Sequence, residues 1–369
     1  MQRRDAFTLV EMLVAMALTL FIMVIISSAF VTGLDTFRGL KGIGDLQAGL
    51  RSVSVRLRAD LQANHFDGNK RLSDPGIWTP EGRPREGFFR LVLFRPIDEG
   101  DDADGIPSFR ATQHVLHFTI KLRGARAEDL VTSFPQNVVP AGTTQPEDIL
   151  GTSRRDVRHE TSTTPAYNSQ WAEVAYFLNK TGTTDFPTDP NGASGFAIHD
   201  LYRVQRALVS RDTSVEGIYP NLTLNNWAYL SCSPDTTTGK LKFHTPEEVA
   251  RGSTNRGYQL TTNPTQTLGE SLMLSNVVSF QVEPLVRLVS NAGSFSDDRD
   301  FLDFFHDNTK DAQYFDMTGK FELDTAIIPA EIPMPGTGVR YTVAALRITL
   351  RVWDTKTRQT RQITIIQDM

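Results

Sequence analysis

The longest apolar run of the chain lies close to its start. Residues 7–30 read FTLVEMLVAMALTLFIMVIISSAF, twenty-four positions that are apolar almost throughout and include one charge, Glu11. As an α-helix this run would be about 36 Å long, enough to cross the roughly 30 Å hydrocarbon core of a bilayer. Core helices of soluble domains rarely stay apolar on every face over such a length. The pattern therefore predicts a membrane-spanning helix over residues 7–30.

Glu11 is unexpected inside this run. Moving a carboxylate toward the centre of a bilayer costs at least a few kcal/mol, so an acidic residue in a membrane helix is a candidate functional residue. A plain anchor would not need it. The alternative is that Glu11 lies near the lipid headgroups in contact with water.

Beyond the span the apolar positions become periodic. Between residues 31 and 63 they recur three or four positions apart, at Leu34, Phe37, Leu40, Ile43, Leu46, Leu50, Val53, Leu57 and Leu61. This spacing puts them on one face and predicts that the helix continues past the membrane. Each of the glycines in this segment costs about 1 kcal/mol relative to alanine. Either the helix bends or unwinds there, or the glycines let it approach its globular domain closely.

Residues 64–369 have the pattern of strands separated by polar loops. Segments rich in aromatic and β-branched residues predict strands at 88–94, 114–122, 171–178, 201–209, 240–243, 277–282, 344–353 and 361–367. In 344–353, Leu346, Ile348 and Leu350 alternate with Arg347, Thr349 and Arg351, as in a half-buried strand. The predicted fold class is α+β, with a long N-terminal helix followed by an enlarged, mainly antiparallel β domain.

Composition narrows the possible partners and chemistry. The 369 residues carry a formal net charge of -5 with both signs interspersed, which does not favour nucleic acid as a partner. Cys232 is the single cysteine, so no intramolecular disulfide can form. We expect it to be a small, buried, neutral thiol.

Few positions offer a metal or catalytic site. The acidic residues 98–107 suggest calcium, but Gly100 occupies the first ligand position of the EF-hand spacing, so a solvated turn is favoured. His114 and His117 are three apart in a predicted strand and should lie on opposite faces. Phosphate-binding glycine loops, nucleophile elbows, HExxH and CxxC motifs do not occur in the sequence. We therefore expect no enzyme activity and no cofactor.

The segment 296–311 combines aromatic residues with acids. It could be an exposed partner-binding segment or a short helix that packs Phe301, Phe304 and Phe305 inward, and their spacing favours the helix. Asp297 and Asp298 have no histidine or cysteine nearby, so they do not predict a metal site.

The start of the chain differs from a secretory signal peptide. The small residue Ala6 precedes the apolar run, after the basic leader MQRRDA, whereas a secretory signal has its cleavage site after the run. Residues 6–11, AFTLVE, resemble the class III signal of type IV pilins and type II secretion pseudopilins. The resemblance implies that a prepilin peptidase cuts between Ala6 and Phe7 and that the new amino terminus of Phe7 is methylated. Ala6 replaces the usual glycine but is small enough that we expect cleavage.

The resemblance also gives Glu11 a partner, because the family uses the fifth mature residue in subunit assembly. In a filament Glu11 can meet the ammonium of Phe7 from a neighbouring subunit, in a low dielectric that strengthens the pairing. Arg3 and Arg4 should remain in the cytoplasm, which places the C-terminal part in the periplasm and the protein in the inner membrane as a single-pass protein. The expected partners are the prepilin peptidase and other minor and major pilin or pseudopilin subunits.

Later segments extend the resemblance. WAEVAYFL with LYRVQRALV, the block 274–288 and the hairpin 344–367 are similar to J-class minor pseudopilins and PilW-like minor pilins. The predicted organisation is a leader at 1–6, a transmembrane helix at 7–30, its amphipathic continuation at 31–63 and a periplasmic β-rich domain with long insertions at 64–369. The favoured function is a minor pseudopilin of a type II secretion system. The alternatives are a PilW-like minor pilin of a type IV pilus and a signal-anchored periplasmic binding module.

Overall fold

One helix, α1, runs from Leu9 to Gln62 in the computed structural model. Its 54 residues make it about 80 Å long. It joins the two predicted helical segments without a break, and its glycines differ in their surroundings. A Cβ added at Gly49 would lie 3.2 Å from Cδ1 of Leu274, whereas Gly33 and Gly39 have no neighbour within 4 Å. Close packing on the domain therefore explains Gly49 and does not explain the other two.

The structure describes residues 9–79, 81–94, 97–101, 107–124, 129–133, 167–183, 197–209, 230–234, 241–252, 256, 270–289, 320–326, 340–355 and 359–369. The predicted partner-binding or helical segment 296–311, with Asp297 and Asp298, lies outside these residues, as do Ala6 and Phe7.

Fourteen strands and two short helices follow α1 in the described residues. The strands are β1 Phe89–Phe94, β2 Ile97–Asp101, β3 Pro107–Arg110, β4 Val115–Lys121, β5 Val131–Ser133, β6 Tyr167–Ser169, β7 Trp171–Thr183, β8 Ala197–Ala207, β9 Cys232–Pro234, β10 Leu241–Phe243, β11 Glu270–Val289, β12 Lys320–Asp324, β13 Arg340–Asp354 and β14 Gln359–Asp368. A 3₁₀ helix spans Pro75–Trp78, and α2 spans Pro246–Val249.

Eight of these strands form one antiparallel sheet in the order β12-β1-β4-β7-β8-β11-β13-β14. Strands β4, β7, β8, β11, β13 and β14 follow one another in both sequence and space, although shorter elements interrupt the chain between them. Strand β12 lies between β11 and β13 in the sequence but pairs with β1 at the far edge of the sheet. The α+β class and each of the eight predicted strands are confirmed.

One strand prediction needs correction, and β2, β3, β5, β6, β9 and β12 are not among the eight predicted strands. The strand predicted at 277–282 is much longer, because β11 continues through a bulge where Asn276 adopts a φ of 58° and shifts the register. Its first part pairs with β8 and its second with β13. Strand β12 was not predicted, since the five residues KFELD carry three charges and little apolar pattern.

The core lies between α1 and one face of the sheet. On the helix, Leu50, Val53, Leu57 and Leu61 are buried, which confirms the amphipathic face over the second half of α1. On the sheet, Phe89 and Phe118 stack with ring centroids 5.3 Å apart within the same core. This packing fixes one half of the helix and leaves the other half extended.

Candidate functional site

The first half of α1 is an exposed apolar surface. Nineteen large apolar side chains between Leu9 and Leu40 are exposed, including Phe21 at 65% and Phe37 at 66%. An 18-residue window of the helix reaches a mean hydropathy of 2.7 with 0% of it buried, so α1 is long and apolar enough to cross a membrane. An apolar surface of this size marks a membrane or protein contact.

Two threonine hydroxyls within this surface are satisfied by the preceding turn of the helix. The hydroxyl of Thr19 donates to the carbonyl of Ala15 at 2.7 Å, and that of Thr32 donates to Ser28 at 3.0 Å. Such bonds to the preceding turn remove the need for water. The threonines are therefore compatible with lipid or with an apolar protein partner.

Glu11 lies exposed in the first turn of α1. A carboxylate is favoured there by the partial positive charge of the helix N-terminus. Its predicted partner is the amino group of Phe7 in a neighbouring subunit. That role for Glu11, and those of Ala6 and Phe7, remain predictions.

A buried charge cluster joins the second half of α1 to the sheet. The carboxylate of Asp60 accepts from Nε of Arg203 at 2.6 Å, from Nη2 of Arg203 at 3.1 Å and from the hydroxyl of Tyr176 at 2.6 Å. Burial and the charge of Asp60 raise the pKa of Tyr176 above its usual value, so the phenol stays protonated and donating. Although burial opposes it, the charge of Asp60 raises the pKa of Arg203. The helix is thus held by both apolar contacts and a satisfied ion pair.

Contacts on the two flanks of α1 define its orientation. Arg56 donates to Gln205 of β8 at 3.2 Å, on one side. Gln62 donates to Gln367 of β14 at 3.3 Å, on the other. Strands β11 and β13 therefore lie beneath the helix, and β14 lies along the flank of α1 that contains Gln62.

A second polar network contains the residue types of a hydrolase site. The hydroxyl of Ser231 donates to Glu173 and lies 3.1 Å from Nδ1 of His244, while Nε2 of His117 donates to Glu173 at 2.7 Å. Burial raises the pKa of Glu173, but the hydrogen bond and charge of His117 outweigh it and hold the pKa well below its usual range.

This network has a structural role. The hydroxyl of Ser231 donates to the carboxylate of Glu173 and not to the ring of His244, which differs from the serine–histidine arrangement of a catalytic triad. Ser231 and Glu173 are also 0% and 1% exposed, so no substrate reaches them. The cluster stabilises the sheet on the face that α1 does not cover.

Other candidates from the sequence have structural contacts. Nδ1 of His114 accepts from the backbone of Val282 at 3.1 Å, and its Nε2 donates to Phe94 at 3.0 Å, so it holds two strands together. His117 instead contacts Glu173. Cys232 is fully buried, and burial raises the pKa of its thiol to about 12, which confirms a neutral thiol.

The described side chains do not form a metal-binding cluster. Within them no group of three or more histidine, cysteine, aspartate or glutamate side chains is placed to hold an ion. Residues 98–101 of the acidic segment 98–107, for which a solvated turn was favoured, form part of β2, and Pro107 begins β3, which pairs antiparallel with β2. Residues 102–106 lie outside the described chain.

Comparison with known proteins bears on the N-terminal helix. Residues 1–27 match the family model of the prokaryotic N-terminal methylation motif. This match, together with the long apolar helix at the N-terminus, fits a type IV pilin-like protein. Searches of curated proteins and of solved structures gave no significant match.

A type IV pilin-like chain of this kind points to a structural subunit, with processing by a prepilin peptidase and assembly with other pilins. Its apolar helix is consistent with membrane anchoring. The match ends at residue 27, so it does not include Asp60, Tyr176 or Arg203. That cluster was missed in the sequence, although Asp60 sits on the apolar face beside Leu57 and Leu61, where a buried partner could have been anticipated.

Proposed function

We propose that the protein is a minor pseudopilin, a structural subunit of a periplasmic filament of a type II secretion system. The observation that carries this proposal is the division of α1, in which an exposed apolar half extends from a half that is fixed to the sheet. Lipid can cover the exposed half before assembly, and neighbouring helices can cover it in a filament. The similarity of the later strands to the J class supports the minor pseudopilin assignment.

Processing prepares the helix for assembly. Cleavage between Ala6 and Phe7 would create an ammonium on Phe7, which the peptidase methylates. Glu11 is the fifth residue of that mature chain, too close along one helix for its carboxylate to serve only its own terminus. In the filament it pairs with the Phe7 ammonium of a neighbour, where low dielectric makes an unpaired carboxylate costly. This cost selects the correct axial register between subunits.

The fixed half of α1 transmits this register to the β domain. The ion pair of Asp60 with Arg203 and the buried face of Leu57 and Leu61 hold the helix against the sheet. A subunit seated by Glu11 therefore presents its sheet in one orientation. Arg3 and Arg4 keep the leader in the cytoplasm, so assembly proceeds from the inner membrane into the periplasm.

The test compares Glu11→Ala and Glu11→Gln with Thr19→Ala, a control in the same apolar surface. Each variant is expressed in the native host, and its amount in sheared filaments is divided by its amount in membranes. We expect both Glu11 variants to lose incorporation about tenfold or more, the equivalent of 1.4 kcal/mol or more, and Thr19→Ala to retain it.

Normal function of Glu11→Ala would overturn the assembly role and favour a signal-anchored binding module. Deletion of the gene separates the filament types. Loss of protein secretion with pili intact supports the secretion assignment, whereas loss of pili with secretion intact would assign a PilW-like minor pilin.

A further inference from the structure

Strand β14 forms a long, regular edge of the eight-stranded sheet. It pairs with β13 over ten consecutive positions without a register shift. Among the described strands, none pairs with its other side. Its sequence, QTRQITIIQD, contains no proline or glycine. It includes four consecutive β-branched residues, ITII. Proteins usually protect edges of this kind, because an open edge can pair with another chain.

The backbone groups that face outward can be identified. The amide of Met369 donates to the carbonyl of Ala344 at 2.9 Å, so Met369 and Ala344 form a hydrogen-bonded pair. Along an antiparallel ladder, hydrogen-bonded pairs alternate with pairs that are not hydrogen-bonded, so the odd-numbered residues of β14 bond to β13. Even-numbered residues of β14 therefore direct their N–H and C=O groups away from β13. They are Thr360, Gln362, Thr364, Ile366 and Asp368.

The opposite edge of the sheet has the usual protection. Strand β12 has five residues, and Lys320 pairs there with Glu322. Asp324 is buried and holds Arg256 through two hydrogen bonds at 2.8 and 2.9 Å. A short, charged edge is poorly suited to strand addition. Of the two edges, β14 is therefore the one better suited to pairing with a further strand.

The flank of α1 above this edge is basic. Gln62 contacts Gln367 of β14, and Arg51 and Arg58 precede Gln62 by eleven and four residues, which places all three on one side of the helix. Both arginines are exposed. Arg361 projects from β14 toward the same side, because it shares the parity of the buried Ile365. On the other face of β14, Ile366 is 53% exposed.

We propose that β14 accepts a strand from another protein chain, an extended segment with carboxylates on alternate positions. Its backbone would pair with the outward groups of β14, its carboxylates would face Arg51, Arg58 and Arg361, and its intervening apolar side chains would cover Ile366. Main-chain pairing supplies affinity in such strand addition, and the alternate side chains supply specificity. The inference does not depend on the role of Glu11 or on the filament type.

The test uses the full chain in detergent micelles and two fluorescent decapeptides, one alternating Glu and Val and one alternating Lys and Val. The blocking variant is Thr364→Pro, which removes an outward N–H and leaves the β13 ladder intact. Thr364→Ala is its matched control. The charge variant is Arg51→Glu with Arg58→Glu, and Lys180→Glu on β7 is the exposed control for a change of charge.

We expect the Glu/Val peptide to bind and the Lys/Val peptide to bind at least about tenfold more weakly, with the difference shrinking at about 1 M salt. Thr364→Pro should weaken binding about tenfold, and Thr364→Ala less than about twofold. The arginine reversal should invert the peptide preference, and Lys180→Glu should not. The arginine reversal decides the matter if Thr364→Pro fails to fold.

Three results would overturn the proposal. One is failure of the Glu/Val peptide to bind. Another is amide exchange showing that Thr360, Gln362 and Thr364 are already protected in dilute protein, which would mean that this chain covers its own edge. The third is protection that rises with protein concentration, which would identify a second copy as the occupant.

Discussion

Asp60, in the last turn of α1, and Arg203, on β8, form a buried ion pair with Oδ2 and Nε 2.6 Å apart across 143 residues of sequence. The pair joins the helix to the sheet at the point where the core of Leu57 and Leu61 ends. This contact therefore helps to fix the orientation of the exposed apolar half of α1 relative to the β domain.

Removal of Asp60 should loosen this link. Asp60→Ala leaves the guanidinium of Arg203 buried without its counter-charge, which costs about 3–5 kcal/mol. We expect the free energy of unfolding to fall by that amount in urea titrations. Amide exchange over residues 50–62 should also accelerate, because this part of the helix is released before the sheet unfolds.

The control replaces the whole cluster. Asp60→Leu with Arg203→Met and Tyr176→Phe removes every buried polar group together, and apolar replacement of a buried ion pair is often neutral. We expect the triple variant to recover most of the stability. A triple variant no more stable than Asp60→Ala would show that packing volume, rather than the uncompensated charge, decides the cost.

Acid should begin to destabilise the domain near pH 6.5, which is above the pH at which most carboxylates titrate. Burial lowers the pKa of His114 from 6.5 to about 4, and that of His244 likewise to about 4. The unfolded chain then binds protons that the folded chain excludes, so the free energy of unfolding falls as pH decreases from 6.5 toward 4. His114 alone contributes about 3 kcal/mol to this change. Urea titrations at stepped pH values measure it.

The matched variant for this prediction is His114→Asn, whose side-chain oxygen can still accept from Val282 and does not titrate. Its free energy of unfolding should depend less steeply on pH between 6.5 and 4, by up to about 1.4 kcal/mol per pH unit. An unchanged slope would mean that His114 is protonated in the folded state. Below pH 4 the two proteins should respond alike, since the folded and unfolded chains are then both protonated at this site.

Arg256 should be far more important for stability than an exposed arginine nearby. It is fully buried, its guanidinium lies 3.6 Å from the ring centroid of Phe88, and it bonds Asp324 through two nitrogens. Arg256→Met should cost about 3–5 kcal/mol in the free energy of unfolding. Arg251→Met, which removes an exposed pair with Glu247, should cost less than about 1 kcal/mol. Equal costs would contradict the burial of the Arg256 pair.

Cys232 should be unreactive in the folded protein. With its pKa raised to about 12 and no exposure, the thiol should react with a disulfide reagent at least about a thousandfold more slowly than an ordinary thiol at pH 8. The reference is Ser52→Cys on the exposed side of α1, made in a Cys232→Ser background. Similar rates for the two thiols would show that β9 opens readily.

Much of the fold could be predicted from local pattern. The period of Leu50, Val53 and Leu57 predicts the packed helical face, and the alternation of Leu346, Ile348 and Leu350 predicts β13. These patterns can be read from the sequence because each depends only on the burial of one face of one element. The prediction that residues 7–30 span a membrane rests on length and hydropathy alone.

The remaining features depend on distant parts of the chain. The length of β11 was underestimated because Asn276 interrupts the pattern at a bulge that is stabilised by two different partner strands. Asp60 gave a usable signal, a charge on an apolar face, but its partner Arg203 could not be chosen among the many arginines. The predicted roles of Ala6, Phe7 and Glu11 come from the motif and not from geometry, so they are tested by the mature N-terminus and by the incorporation of Glu11 variants.

Mass spectrometry of the mature N-terminus, on protein isolated from native membranes, shows whether the chain is processed as a pilin-like precursor. We expect a chain that begins at Phe7 with a methylated amino group, and full-length precursor in a strain that lacks the prepilin peptidase. A mature chain that begins at Met1, or one cut downstream of residue 28, would contradict the pilin-like account.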